Sequence, residues 1–134
     1  PNSGKYFSKI PGTFVIRKSV FDQINGYDPL FKFSENTELF HRFDLINVQG
    51  KNIPFLSLNY FDNSLGGSKN LKNTVESLSL FLEKHSQTLT PYVKHLYHQI
   101  IGVILIRFRN FSEARKHLWK AVKYQPKKLA TWGR

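Results

Sequence analysis

Residues 11–42 bring together several strong structural signals in a short stretch of chain. In chain order they indicate a glycine turn at residues 11–13, a short apolar strand at 14–16, a helix ended by a glycine at 18–26, and a second helix with two carboxylates in its first turn, which begins at residue 34 and is expected to end near residues 47–50. Ser34 is a candidate N-cap for the second helix. Leu39, Phe43 and Ile46 give that helix an apolar stripe at helical spacing, so one of its faces is expected to be buried.

The order of these signals resembles the acceptor-side half of the family 2 glycosyltransferases of the GT-A fold, over about residues 10–62. The residues that carry the resemblance are Gly12-Thr13, Arg17-Lys18, Gly26-Tyr27-Asp28 and Glu35-Asn36-Thr37-Glu38-Leu39-Phe40-His41-Arg42. The resemblance implies a partial GT-A segment of short strands and two helices in residues 1–62. It also implies an enzyme of polysaccharide biosynthesis that transfers a sugar from a nucleotide-sugar donor to a glycan or lipid-linked acceptor.

The resemblance also implies which residues carry the chemistry. In an inverting transfer a carboxylate accepts the proton of the acceptor hydroxyl while that oxygen attacks the anomeric carbon. Most relatives have Glu-Asp, with the aspartate as base, where this chain has Glu35-Asn36, and an amide cannot accept the proton. The catalytic base is therefore expected to be Glu35, although a different arrangement stays open. The residues expected to contact acceptor or substrate are Gly12, Thr13, Asn36, Glu38 and Arg42.

These residues also have plainer interpretations. Acidic residues in the first turn of a helix commonly complement the helix dipole, which is an ordinary role for Glu35 and Glu38. Arg42 lies four residues after Glu38, a spacing at which the two side chains can simply pair. Gly12 and Thr13 can be no more than a turn before a strand.

The sequence lacks the parts that would bind the sugar nucleotide. No Asp-x-Asp occurs, and no run of alternating strands and helices builds a nucleotide-binding half. We therefore expect the chain to be a piece of a longer protein, inactive alone, with a divalent Mn or Mg ion bound in the missing N-terminal half and no cofactor or metal here. His95, His98 and His117 are the alternative metal ligands, but no carboxylate accompanies them in the local sequence.

Residues 63–134 have a different character. Turn residues follow the predicted edge strand Ile53–Tyr60, and a helix is predicted over residues 69–85. Thr90-Pro91 is a helix start, and the following residues fit a tetratricopeptide-like pattern at Gly102, Ala114, Leu118, Ala121 and Pro126. The small residues there would let two antiparallel helices approach closely. A generic helical hairpin is the alternative. The expected fold class is α+β, predominantly helical, with domains at 1–62 and 63–134.

Charge and composition suggest partners. The chain has a formal net charge of +11, and residues 107–134 are rich in lysine and arginine, so an anionic membrane surface or a protein partner is expected there. The apolar run Ile100–Ile106 is far shorter than the roughly 20 residues of a membrane-spanning helix, and a cytoplasmic location, peripheral to the membrane at most, is the default. A tetratricopeptide-like protein-interaction module is the alternative function. A nucleic-acid binder is the least favoured, since no known nucleic-acid-reading motif occurs.

Overall fold

The computed structural model describes residues 9–51 and 70–126. These residues form five helices, which are α1 Lys18–Gln23, α2 Glu35–Leu45, α3 Leu71–Lys84, α4 Pro91–Arg107 and α5 Phe111–Tyr124. No strand occurs among them, so the predicted α+β class and the predicted GT-A segment of short strands are wrong for the described part, whose regular structure is all helical. The predicted strand Ile53–Tyr60 and the domain boundary near residue 62 lie outside the described residues.

The predicted strand at residues 14–16 is irregular backbone instead. A strand is stabilised by hydrogen bonds to a neighbouring strand, and the described residues offer none. The ring of Phe14 packs edge-on against Phe40 of α2, with the ring centroids 5.1 Å apart, while Val15 is 99% exposed. The apolar residues that suggested a strand therefore serve partly to attach this segment to a helix.

Polar side chains cap the starts of the last three helices, as the sequence chemistry favours. Thr90 accepts a hydrogen bond from the backbone N–H of Val93, and Pro91 is the first residue of α4, which confirms the predicted helix start. Asn70 and Asn110 cap α3 and α5 in the same way. Ser34 differs: it occupies the N-cap position of α2 with φ 59° and makes no side-chain capping bond.

Helices α1, α2 and α4 end in the same manner, with a left-handed residue just beyond the C-cap. These residues are Asn25, Asn47 and Arg109. Their backbone N–H groups, with those of the next residue, bond to carbonyls of the last helical turn, which is the Schellman pattern. The turn predicted at Gly26 thus begins one residue earlier, at Asn25. Gly26 itself has φ 65° and lies against Phe21. A Cβ added to Gly26 would come within 2.8 Å of the Phe21 ring.

The core lies where the loop before α2 packs against α3 and against the loop that follows α3. Phe31, Phe81 and Leu89 form the buried cluster, and the ring of Tyr97 from α4 packs on Phe81 at 5.4 Å between centroids. The hydroxyl of Ser77, which is buried on α3, accepts hydrogen bonds from the backbone N–H groups of residues 32 and 33 at 3.2 and 3.1 Å. This pairing fixes the loop, and therefore the start of α2, against α3.

Helices α4 and α5 form an antiparallel hairpin. The imidazole Nδ1 of His95 donates to the carbonyl of Ala121, and Gly102, one helical turn further along α4 than His98, lies against Leu118 and Ala114. Ala114 and Ala121 are both buried, which gives the close approach that their small size suggested. Among the described residues, no helix is both long enough and apolar enough to cross a membrane.

Replacing Gly102 by alanine is expected to destabilise the native chain by about 1 kcal/mol, because overpacking costs more than helix propensity gains. The new Cβ would lie 2.7 Å from side-chain atoms of Leu118. In a Leu118→Ala background the same change is expected to cost about 1 kcal/mol less, since only the backbone carbonyl of Ala114, 3.3 Å away, then stays close to the new Cβ. Urea denaturation of the four proteins of this cycle measures the coupling. An equal effect of Gly102→Ala in both backgrounds would contradict the contact.

Candidate functional site at the start of helix α2

Glu35 is the first residue of α2 and is partly exposed. Its negative charge acts on Tyr27, since the pKa of the Tyr27 hydroxyl is raised first by burial and second by the charge of Glu35. The backbone carbonyl of Ser34 accepts the N–H of Glu38 at 2.9 Å and begins the helical hydrogen bonds. The carboxylate of Glu35 thus lies on a defined helical start.

Asn36, which stands where the pattern of the resembled family has aspartate, is buried. Its side-chain oxygen accepts a hydrogen bond of 2.7 Å from the hydroxyl of Tyr27. The amide therefore holds Tyr27 in place beside the helix start. Tyr27 was part of the motif from the sequence but had no role assigned to it there.

Glu38 is 1% exposed and is bound on two sides by positively charged or protonatable groups. The Nε of Arg42 donates to both carboxylate oxygens at 2.9 Å, and its Nη2 donates to Oε2 at 2.7 Å. The Nε2 of His85, at the end of α3, donates to Oε1 at 2.9 Å. The carboxylate predicted to contact substrate is therefore enclosed by the protein itself.

Arg42 makes a third connection, because its Nη1 donates to the backbone carbonyl of Ile24 at 2.6 Å. Ile24 is the C-cap residue of α1, so the guanidinium satisfies a carbonyl at the end of that helix. The second interpretation of Arg42, a pair with Glu38, is the arrangement that the structure has. Together Glu38, Arg42 and His85 connect α1, α2 and α3.

The sequence reasoning did not identify His85, and it gave no role to the neighbouring His41, which belongs to the motif. Their rings lie 4.8 Å apart, and burial and then the charge of His85 lower the pKa of His41. The Nε2 of His41 is 2.8 Å from the hydroxyl of Thr88. His85 is distant from Glu38 in sequence, so no local spacing could have linked them.

Gly12 and Thr13 form a turn before α1. Gly12 has φ 87°, and the hydroxyl of Thr13 donates to the carbonyl of Ile10 at 2.6 Å. The turn lies beside the middle of α2, since Phe14 contacts Phe40 and the ammonium of Lys9 lies 5.6 Å from the Phe40 ring centroid. The structure thus brings the turn to α2, on the side of Phe40.

The candidate metal ligands have other partners. His95 binds a backbone carbonyl of α5, and the Nδ1 atoms of His98 and His117 lie 3.1 Å apart. Within residues 9–51 and 70–126, no group of three or more histidine, cysteine, aspartate or glutamate side chains is arranged to hold a metal ion. Comparison with models of known protein families, with curated proteins and with solved structures finds no match to this chain.

Proposed function

We propose that this chain is the acceptor-side part of a glycosyltransferase that uses a nucleotide-sugar donor, with Glu35 as the general base. The observation that carries the proposal is the contrast between two glutamates on one helical turn. Glu38 is buried and bound by Arg42 and His85, whereas Glu35 remains partly exposed. Of the two acids in the motif, Glu35 is thus the one that an acceptor hydroxyl can reach.

The surroundings of Glu35 suit a base in one further respect, which is rigidity. A base must be held within a narrow range of positions to accept a proton as the new bond forms. The pair of Glu38 and Arg42 fixes the first turns of α2, and Ser77 fixes the loop before it. Glu35 stands on this supported segment as the first residue of α2.

The roles of the other motif residues follow from their contacts. Asn36 and Tyr27 form a hydrogen-bonded pair at the start of α2, where Asn36 follows Glu35 in the chain. Glu38 and Arg42 position α2 relative to α1 and are assigned no contact with substrate. In the reaction, Glu35 takes the hydroxyl proton, the acceptor oxygen bonds to the anomeric carbon, and the nucleoside diphosphate leaves from the opposite face.

The residues of this chain are proposed to act without contact to the divalent cation that the resemblance implies. Such a cation would need oxygen ligands, and the sequence has no Asp-x-Asp. The described residues also bring no set of acidic or histidine side chains together for it. The described residues therefore do not fit the ion.

The test is a Glu35→Gln change in the full-length protein. Transfer is expected to fall at least about a hundredfold, because the amide cannot accept a proton, while nucleotide-sugar binding and thermal stability stay unchanged. Glu76→Gln is the matched control, since Glu76 is an exposed glutamate on α3 that pairs with Lys32 at 3.6 Å. Unchanged turnover in Glu35→Gln would remove Glu35 from the role. Absence of sugar transfer by the unaltered protein across a panel of nucleotide sugars would overturn the function itself.

A further inference from the structure

A pocket of about 550 Å³ lies between α3, α4 and α5, away from Glu35 and its neighbours. This volume is within the range of small-molecule sites. The side chains on its α4 and α5 walls are mostly basic or aromatic: Lys94, His98, His117, Lys120, Lys123 and Tyr124. Helix α3 and the residues after it contribute Glu83 and the hydroxyls of Ser79 and Ser86.

The pocket carries an excess of positive charge. Its three lysines face a single carboxylate, that of Glu83. The ion pairs found among residues 9–51 and 70–126 include none of these lysines. Lys116, on the same helix as Lys120, differs because its ammonium is 2.6 Å from Glu113. Several cations that share one cavity attract an anion.

A pair of histidines lies in the same pocket. The Nδ1 atoms of His98 and His117 are 3.1 Å apart, so one ring donates a proton to the other. Burial, then His117 and Lys120, lower the pKa of His98 to about 4. Burial and Lys120 also lower the pKa of His117, against the opposing charge of Glu113. Both rings are thus neutral hydrogen-bonding groups at neutral pH, and the nearby positive charge disfavours their protonation.

The pocket wall is held in place before any ligand arrives. The ring of Tyr124 stacks on His98, with 5.9 Å between centroids and 7° between planes. The ammonium of Lys94 lies 5.5 Å from the centroid of the same Tyr124 ring. Because these contacts join α4 to α5, the side chains of Lys94, His98 and Tyr124 are already ordered, which lowers the entropic cost of binding.

We propose that this pocket binds the phosphate group of a phosphate ester, with Lys120 and Lys123 as its main cationic contacts and the paired rings of His98 and His117 as adjoining hydrogen-bond partners. The phosphate belongs to a soluble ester or to a lipid headgroup, which share this chemistry. The inference does not depend on the glycosyltransferase proposal, since none of the pocket residues belongs to α1 or α2.

The first test is isothermal titration of the whole chain with inorganic pyrophosphate at pH 7 and constant ionic strength. Changing both Lys120→Gln and Lys123→Gln is expected to weaken binding about tenfold, the effect of losing charge-assisted hydrogen bonds. Lys116→Gln is the control, because it removes one positive charge from the same helix outside the pocket. Its binding is expected to stay within about twofold. If Lys116→Gln weakens pyrophosphate binding as much, per positive charge removed, as the double variant does, the site is overturned and the binding reflects general attraction to a basic chain.

A second arm distinguishes the sources of the phosphate. Phosphatidylcholine vesicles with and without phosphatidic acid are mixed with the same proteins and sedimented. Binding to phosphatidic acid that depends on Lys120 and Lys123, without pyrophosphate binding, supports a lipid headgroup, and the reverse supports a soluble ester. Binding of neither probe by the unaltered chain overturns the proposal.

A third measurement follows the histidines themselves. Sulfate keeps its double negative charge over the pH range of the titration, so any change in histidine protonation reports on the protein. Sulfate in the pocket is expected to raise the pKa of His98, measured from its ring-proton NMR shifts, by about one unit. Glu83, Lys94, Lys120 and Lys123 are the charged side chains that line the pocket around these rings. An unchanged His98 titration at saturating sulfate would contradict the placement of the anion.

Discussion

Replacing Glu38 by alanine is expected to destabilise the protein by about 4 kcal/mol, the usual cost of breaking a buried ion pair from one side. The carboxylate is 1% exposed and accepts hydrogen bonds from Arg42 and His85. Without it, the guanidinium of Arg42 would stay largely buried, with 17% of its side chain exposed, and would lack a counter-charge. Urea denaturation followed by circular dichroism measures the loss.

The control for this prediction is Asp22→Ala. Asp22 also pairs with a cation four residues away, Lys18, but its side chain is 55% exposed. Solvent screens such a pair, so its loss is expected to cost less than about 0.5 kcal/mol. Similar costs for the two substitutions would contradict the buried role of Glu38. Comparison with Glu35→Gln separates stability from catalysis, because that change should leave the free energy of unfolding unchanged.

Acidification from pH 7 to pH 4 is expected to remove about 3 kcal/mol of stability through His98 alone. The pKa of His98 is about 4 in the folded protein, against an ordinary value of 6.5. Between these values the unfolded chain binds more protons than the folded chain, so the free energy of unfolding rises with pH. The stability is present above pH 6.5 and is lost as the pH falls toward 4.

The pKa values of His117 and His41 are also lowered, first by burial, so these two residues likewise reduce the free energy of unfolding as the pH falls. Asp28, whose pKa is lowered first by its hydrogen bond to Lys84, matters only at a more acidic pH. Urea denaturation at several pH values measures how the free energy of unfolding depends on pH. The His98→Asn variant is expected to lose less free energy of unfolding between pH 7 and pH 4 than the unaltered protein, whatever the stability of the variant at pH 7. A free energy of unfolding that stays constant from pH 7 to pH 4 would contradict the prediction.

Much of the helical part of the fold could be predicted from local signals. The start of α4 at Thr90-Pro91 and the close packing at Gly102 follow from capping chemistry and residue size, which act over a few residues. The strand predicted at Phe14 failed because a short apolar run has no conformation of its own. The conformation of such a run depends on what it packs against, and here Phe14 packs against Phe40 on helix α2.

The candidate site was less predictable for a related reason. Glu35 and Glu38 have the same chemistry and stand in the same helical turn, so the sequence offered both for contact with a substrate. What separates them is burial, and the burial of Glu38 depends on His85, which reaches it from α3. Such a pairing is a property of tertiary packing, and spacing along one helix cannot show it.

The links from the carbonyl of Ile24 through Arg42 and Glu38 to His85 have a consequence for motion. Separation of α1 from α2 leaves the carbonyl of Ile24 without its guanidinium donor, and separation of α2 from α3 removes the His85 hydrogen bond from the carboxylate of Glu38. The first three helices should therefore open as one cooperative unit, and their amide hydrogens should exchange with solvent at a shared rate.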